Sequence, residues 1–518
     1  MDAVSSPQLH AGAGQSGWHV TPWRLVGSLM AVALALRVLG GIERPLWLDE
    51  AYSAWFSSRS WHVLWTEVPN YETHPPLYYS LLKVWRALAG DSVLALRSLS
   101  WLFAVAAIPV TIAAANELER QRPSRNPLIR SGLTACLMAA SPMLVLMGAE
   151  ARPYPLLIFA YAVALLGVLR LIREFRDGPG ETASWSMLVA GTELGLWAHG
   201  LGLIYAVCIA LALVPAWLHG VERRRLTRGL MAAASITALY LPCLLMMARR
   251  AGDWGTGWLS WEPAMALQLL GLYTIPVEVL TISSAVAALI MILLAKRAIV
   301  DGFEAKGWTA DRAILLLWWG PPLLVILISS LAMPIFLPRT LTPTLVPAYL
   351  ALAGAVARSS SSRERFALSA ALAITIMPAA LQVALRPATE PWDEVSTYLR
   401  THVRPGDEVW LYPNDSALPL REAGSELPMR GVPGNYPATN FKGPIRAGSP
   451  AVVSVTARQA EAIANERSLH DVQTVWLVTR QAGIFDPAGD LPRALARQRI
   501  PGIEQHWEAI SVRSYSSR

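Results

Sequence analysis

Apolar residues along this chain do not alternate with polar ones at the short periods of a soluble helix or strand. They gather in runs of about 18 to 22 residues, the length that crosses a hydrocarbon core. Eleven stand out, at about 25–39, 94–115, 131–148, 154–171, 184–199, 201–218, 229–247, 277–295, 313–331, 340–357 and 366–385. They predict a polytopic α-helical membrane protein with about 11 transmembrane helices, or 10 to 13, because Pro and Gly break several runs. The first run has neither a basic n-region nor a small-residue cleavage site and reads as a retained span.

From about Pro387 the pattern shortens. A helical period covers Trp392 to Val403, a strand-like run Glu408 to Tyr412, a second helix Thr456 to Leu469 and a second strand Val472 to Thr479. Arg404-Pro405-Gly406-Asp407 reads as a break before the first strand, and 413–450 as a long Gly/Pro-rich loop. The expected organisation is a tail at 1–23, a membrane domain at 24–386 and a small soluble α/β domain at 387–518.

Composition agrees: of 518 residues, 53% are hydrophobic and 16% charged, which excludes disorder and a collagen-like fibre. The net charge of +7 informs through its placement. Basic residues concentrate in alternate loops, around Arg120 to Arg130, Arg170 to Arg176, Arg223 to Arg228, Lys296 to Arg312 and Arg358 to Arg365. That is the signature of cytoplasmic loops facing a bilayer and not of a nucleic-acid surface, so no nucleic-acid partner is expected. The N-terminus is placed inside, and the other loops and the C-terminal domain on the extracytoplasmic face. Cys136, Cys208 and Cys243 fall within apolar runs, where they pack without a disulfide or metal framework. Of the 21 Trp, several flank the runs (Trp23, Trp47, Trp254, Trp258, Trp261) as interface anchors or as packing between helices.

The first outer loop, about 41–92, carries the most informative chemistry. Asp49 and Glu50 adjoin one another just after the first span, and paired carboxylates at a membrane surface need partners or a task. On the expected topology they share a face with Glu150 and Arg152. Glu72-Thr73-His74-Pro75-Pro76-Leu77-Tyr78-Tyr79 leads from a double proline into an amphipathic stretch, Leu77 to Leu88, expected to lie along the membrane surface. A lone His is more often structural than catalytic, and His74 and His199 are equally open on that count. Arg37, Arg97 and Arg339 lie within or at the ends of spans; each is expected to pair with a carboxylate or a bound anion, with snorkelling as the alternative.

The ordered set of the Asp49-Glu50 pair, His74-Pro75-Pro76-Leu77-Tyr78-Tyr79, Leu96-Arg97-Ser98, Glu150-Ala151-Arg152-Pro153-Tyr154 and Phe336-Leu337-Pro338-Arg339-Thr340-Leu341-Thr342-Pro343 resembles the GT-C membrane glycosyltransferases. More narrowly it resembles glycosyltransferase family 39, relatives of protein O-mannosyltransferases and of the transferase that puts aminoarabinose on lipid A. The resemblance covers about 24–386. It implies an inverting transfer of a sugar from a polyprenyl-phosphate carrier to an acceptor on a glycan, lipid or protein, at the outer face of a bacterial inner membrane. It assigns Asp49 as the base, Glu50 and Glu150 as further acidic site residues, and Arg152, Arg339 and Arg97 to the donor phosphate. His74, Tyr78, Tyr154 and His199 would line the cavity. A divalent cation, Mg or Mn, at Asp49 and Glu150 is left open by the family, whose members differ on metal use. Thr340 stands where many relatives carry Tyr. A transporter of lipid-linked sugars is the main rival, but neither an internal repeat nor broken helices at the midplane are evident. A non-catalytic assembly factor is a further rival; it leaves the acidic cluster unexplained unless that cluster is an ion-pair network with Arg152.

Overall fold

The structure is a computed structural model that describes residues 22–70, 72–124, 126–178, 182–219, 223–249, 261–273, 282–304, 307–434, 455–466, 469 and 471–518. Trp254 and Trp258 lie outside the described residues.

Each of the eleven apolar runs is mainly helical where it is described, with a break at Ser141 inside the third. The helices are α1 (Pro22–Gly41), α2 (Leu48–Ser58), α3 (Trp61–Thr66), α4 (Leu77–Ala89), α5 (Val93–Gln121), α6 (Pro127–Ala140), α7 (Pro142–Gly148), α8 (Tyr154–Asp177) and α9 (Thr182–Ala198). They continue with α10 (Gly202–Leu218), α11 (Arg223–Ala248), α12 (Gln268–Tyr273), α13 (Ile282–Glu304), α14 (Ala310–Leu331), α15 (Leu345–Ala357) and α16 (Ser362–Ala384). Among the described residues seven helical segments are long and apolar enough to span a membrane, or eight if α6 and α7, bent by 52°, form one broken span. Leucines such as Leu230, Leu239 and Leu331, with Ile374, point outward, as expected where the surrounding solvent is lipid. The chain is a multi-pass membrane protein.

The α8 and α15 helices form the buried hub, with α5, α6, α10 and α14 packed round them. The break between α6 and α7 explains Arg37. Pro142 has no N–H, so the Met138 carbonyl lacks its helical partner. Arg37 donates to Met138 O at 3.3 Å, Ala139 O at 3.0 Å and Ala33 O at 2.9 Å. The expectation of a carboxylate or anion for Arg37 is therefore corrected: backbone carbonyls serve it. Gly148 makes this possible, since a Cβ there would stand 2.5 Å from Arg37 Nε.

Loops from alternate ends of the helices meet at opposite ends of the bundle. At one, Arg122 pairs with Asp311, Arg358 with Asp301 and Arg297 with Glu364, joining three of the Arg-rich loops. The other end carries α2, α4 and the loops before α8 and α15.

After α16 come α17 (Trp392–His402), β1 (Glu408–Tyr412), α18 (Ala417–Glu422), β2 (Met429–Gly431), α19 (Ala457–Ala464), β3 (Thr474–Arg480), α20 (Ala482–Phe485), α21 (Asp490–Gln498), β4 (Ile500–His506) and β5 (Ile510–Ser516). The sheet order is β2-β1-β3-β5-β4, parallel through β2-β1-β3 and antiparallel through β3-β5-β4. Alternate residues of β1 face two cores: Trp410 and Tyr412 toward α19 and α21, Val409 and Leu411 toward α17 and α18. The expected loop at 413–450 is corrected for its described part, which holds a 3₁₀ turn (Asn414–Ser416), α18 and β2; residues 435–450 lie outside the description. The helix expected from Thr456 to Leu469 ends at Ala464, and Thr456 is its N-cap in a capping box with Gln459. Through Leu418 the α18 helix packs into the core of α2 and α4, which fastens the sheet over the end of the bundle that carries Asp49.

Candidate active site

The α2 helix places its two carboxylates in the first turn, where the helix dipole favours negative charge. The two then part. Glu50 turns inward and is 0% exposed. Its Oε1 accepts from Arg97 Nε at 2.8 Å and from the Ala151 amide at 2.8 Å, and its Oε2 accepts from Arg97 Nη2 at 2.5 Å. The remaining Arg97 donors reach the carbonyls of Gly41, Arg44 and Pro45. Arg97 thus has no donor left for a phosphate, and Glu50 no lone face toward a substrate. Both are corrected from site residues to a buried clamp that ties α2 to α5 and to the loop before α8.

Asp49 turns the other way, its side chain 21% exposed. Its Oδ2 lies 3.2 Å from Arg339 Nη2 and 3.6 Å from Arg152 Nη2, while Arg152 Nη1 donates to the Asp49 carbonyl at 3.0 Å. Burial alone would raise the Asp49 carboxyl, but the two guanidinium groups outweigh it and hold the group below the usual carboxylate range. Arg339 also stacks on Trp47, 5.4 Å from the ring centroid. Glu150 joins the cluster from the loop before α8. Burial and the charge of Glu50, only partly offset by Arg339, push its carboxyl up to about 8, so it is protonated at neutral pH.

His74, Tyr154 and His199 form the adjoining wall. The two imidazole rings lie 4.1 Å apart, and Tyr154 sits 5.6 Å from His199. His199 Nδ1 accepts from the Leu201 amide at 3.0 Å, which puts its proton on Nε2. Burial and the Arg152 charge push His74 down to about 3, so it is neutral, its 3.2 Å approach to Glu72 is not an ion pair, and its Nδ1 shares a hydrogen bond with Thr73 Oγ1 at 3.1 Å. Tyr78 does not line the site. Its hydroxyl pairs with Ser100 Oγ at 3.0 Å inside the core, and Ser100 in turn donates to the Arg152 carbonyl. The reason is rotational: α4 turns the face holding Tyr78, Tyr79 and Leu82 into the bundle. Thr340 is also turned in, its hydroxyl donating to Leu337 O at 2.7 Å.

Four residues near the site lay outside the sequence reading of it. Glu72 is buried and orients His74, accepting from the His74 amide at 3.0 Å and from the Tyr79 hydroxyl at 2.7 Å. Its place two residues before His74, ahead of the double proline, was the available signal. Glu390, Asp415 and Arg480 arrive from the C-terminal segment, and no local pattern places them here.

Arg152 Nε, Arg339 Nε, Trp47 Nε1, His199 Nε2, His74 Nε2 and Glu150 Oε2 are all buried without a hydrogen-bond partner. Buried polar atoms are normally partnered, and these six, on residues of the Asp49 cluster and its wall, are free to meet a ligand. Directly on the ionised Asp49 carboxylate stand two guanidinium groups, with Glu150 protonated and the imidazoles neutral, and such a paired cationic edge suits an anion. Among the described residues no group of three or more His, Cys, Asp or Glu is gathered to hold a metal ion. A divalent cation at Asp49 would also face Arg152 and Arg339, so the residues here do not fit a resident metal.

No protein-family model matches the sequence, and no curated protein does. Solved structures do. ArnT from Cupriavidus metallidurans in the apo state matches with a TM-score of 0.62 at 14% identity, over 94% of this chain and 97% of that one. ArnT bound to undecaprenyl phosphate gives 0.61 at 14% identity, over 95% and 98%. The archaeal oligosaccharyltransferase AglB from Archaeoglobus fulgidus, in complex with an inhibitory peptide and a dolichol-phosphate, gives 0.57 at 12% identity, over 97% and 75%. These neighbours are GT-C fold glycosyltransferases, and the chain has the GT-C fold.

Proposed function

We propose that the chain is an inverting glycosyltransferase that takes a sugar from a polyprenyl-phosphate carrier and passes it to an acceptor hydroxyl at the outer face of a bacterial inner membrane. The observation that carries this reading is the pair of guanidinium groups on Asp49, with orphaned donors beside them. It supports a site for a lipid-borne phosphate next to a carboxylate. The shared fold with ArnT, solved with undecaprenyl phosphate, and AglB, solved with a dolichol-phosphate, adds to it.

Asp49 takes the proton of the acceptor hydroxyl. The freed oxygen attacks the anomeric carbon from the face opposite the carrier, the carbon–oxygen bond to the phosphate breaks, and the electron pair leaves on the phosphate. Arg152 and Arg339 hold that charge, and their stabilisation matters more than a proton donor because phosphate is a good leaving group. The arrangement also couples binding to chemistry. A phosphate that draws the guanidinium groups toward itself loosens them from Asp49, and its carboxylate becomes a stronger base when the donor is in place. Protonated Glu150 offers a hydrogen bond to the acceptor or to a sugar oxygen. His74, Tyr154 and His199 give the sugar a wall of rings and uncharged nitrogens. In this reading all eleven apolar runs cross the membrane, the Arg-rich loops are cytoplasmic, and residues 387–518 form a domain on the outer face.

The test is consumption of radiolabelled undecaprenyl-phosphate sugars by membranes containing the wild type, with Asp49→Asn membranes of matched expression beside them. Donor loss in the wild type alone supports the assignment and names the sugar. Equal consumption by the variant would remove Asp49 as the base; silence with every donor, even after native envelope extract is added, would turn the reading toward transport.

A further inference from the structure

The helix that carries Asp49 starts without a cap of its own. Trp47 stands at the N-cap position and makes no side-chain bond to the first-turn amides, since an indole has no acceptor to offer. The amide of Leu48, the residue before Asp49, instead donates to Glu390 Oε2 at 3.1 Å. That carboxylate comes from the segment between α16 and α17, 342 residues further along the chain. It is 3% exposed, takes a second bond at Oε2 from Trp392 Nε1 at 2.9 Å, and receives Arg480 Nη1 at Oε1 at 3.2 Å. Arg480 lies at the end of β3 and also stands 3.9 Å from Asp415 Oδ1, just beyond the end of β1. Asp415 Oδ2 in turn accepts from the Tyr52 hydroxyl at 3.4 Å. Tyr52 lies three residues after Asp49, on the same side of the helix. Glu390, held by Arg480 at the carboxyl end of β3, and Asp415, just past the carboxyl end of β1, therefore grip α2 at two points, on either side of Asp49.

We infer that Glu390 is a positioning residue for the transfer: it caps α2 from the C-terminal segment and, through Arg480, ties the seating of the sheet to the placement of Asp49. The role rests on Asp49 being the base. The physical need is plain. An 11-residue helix with an unserved first turn frays, and a frayed first turn moves Asp49 relative to Arg152 and Arg339. A carboxylate serves better than a neutral acceptor here, because it meets both the amide and the positive end of the helix dipole. Its bonds from Trp392 Nε1 and Arg480 Nη1 hold it in place. The sheet is then more than a cover over the bundle: when it is seated the catalytic helix is complete, and when it lifts the base loses its place.

Hydrogen–deuterium exchange on the full chain in nanodiscs tests this without requiring any turnover. Peptides covering α2 are followed in the wild type, Glu390→Ala and Glu390→Gln, with peptides of α8 as the internal reference. The expected result is exchange in the first turn of α2 about tenfold faster in Glu390→Ala, unchanged exchange in α8, and substantial recovery in Glu390→Gln, which keeps an acceptor for the Leu48 amide. In transfer assays kcat should fall about tenfold in Glu390→Ala with KM for the carrier held, and recover in part in Glu390→Gln. A residue that only stabilises the fold would lower yield and Tm in both variants and leave kcat per folded molecule alone. Wild-type protection of α2 in Glu390→Ala overturns the proposal whatever the activity. Failure of the wild type to transfer any sugar counts against the proposed function instead, and leaves the exchange result to judge the cap.

Discussion

Asp49 and Glu50 are consecutive residues of one helical turn, and their surroundings differ in a way that separates a structural ion pair from a working one. Glu50 faces inward, where each partner is committed: Arg97 spends its donors on Glu50 and on three carbonyls. Asp49 faces the cleft, where two guanidinium groups share one carboxylate and several polar atoms have no partner. A buried pair that is complete holds the fold; one that is left incomplete is waiting for something.

The largest expected effects lie on the two sides of this contrast. Glu50→Ala leaves the Arg97 charge buried and unpaired and should cost about 3 to 5 kcal/mol of stability, seen as loss of folded protein or a steep fall in Tm. Asp49→Asn keeps the side-chain shape but removes the charge that pairs Arg152 and Arg339, so Tm should fall, by less than in Glu50→Ala because Asp49 is 21% exposed, while transfer drops by about 10²- to 10⁴-fold. If the two variants behaved alike in both assays, the division between clamp and site would be wrong.

Arginines repeat the comparison at smaller size. Arg339→Lys loses the planar fork that suits a phosphate and should weaken undecaprenyl phosphate binding by about ten- to a hundredfold, read as a smaller ligand-induced rise in Tm, with the unliganded Tm little changed. Arg97→Lys should do the reverse, lowering the unliganded Tm and leaving the ligand-induced rise intact in whatever protein folds. A similar loss of carrier binding in both would return Arg97 to the phosphate site.

The contrast also shows what could be read from the chain beforehand. Spans were legible because a membrane demands long apolar runs whatever packs against them, and the strand Glu408 to Tyr412 was legible from its apolar, β-favouring residues. The hairpin of β4 and β5 was not, since Ile500–His506 contains Pro501 and Gly502 and shifts register between Pro501 and Glu504, as an edge strand can. Within the site, the sequence placed Asp49, Glu150, Arg152, Arg339, His74, Tyr154 and His199 on one side, and these do converge. It had no means to tell which of two adjacent carboxylates turns inward, because that depends on the rotation of α2 against α5. Glu390, Asp415 and Arg480 were beyond reach for another reason: they meet α2 across more than 340 residues of chain, as the Leu48–Glu390 bond shows.

A pH profile sharpens the comparison further. Glu150 is pushed up to about 8, so it carries its proton at neutral pH and loses it as the pH rises through that value. The new negative charge would lie close to Asp49 and Glu50 and draw on the Arg339 and Arg152 charges that hold the phosphate. Transfer by the wild type should therefore decline above about pH 8, by several-fold over one unit. Glu150→Gln, neutral at every pH, should lose that decline while keeping most of its rate near pH 7. An alkaline limb that persists unchanged in Glu150→Gln would assign it to another group.

The smallest expected effect concerns Tyr78, which the sequence grouped with the cavity and the fold places in the core. Tyr78→Phe removes one buried hydrogen bond, the 3.0 Å contact with Ser100 Oγ, and keeps the ring that fills the space between α4 and α5. Ser100 retains the Arg152 carbonyl as a partner at 3.2 Å, so no donor is stranded. The cost should be about 1 kcal/mol of stability, with kcat and KM close to wild type. A residue that lined the sugar pocket would behave oppositely, with Tm unchanged and KM or kcat shifted, because its hydroxyl would have bonded the substrate and not the protein. The Tyr78→Phe kinetics thus test the same rule that separates Asp49 from Glu50: a polar group whose partners are already supplied by the fold has nothing left to give a ligand.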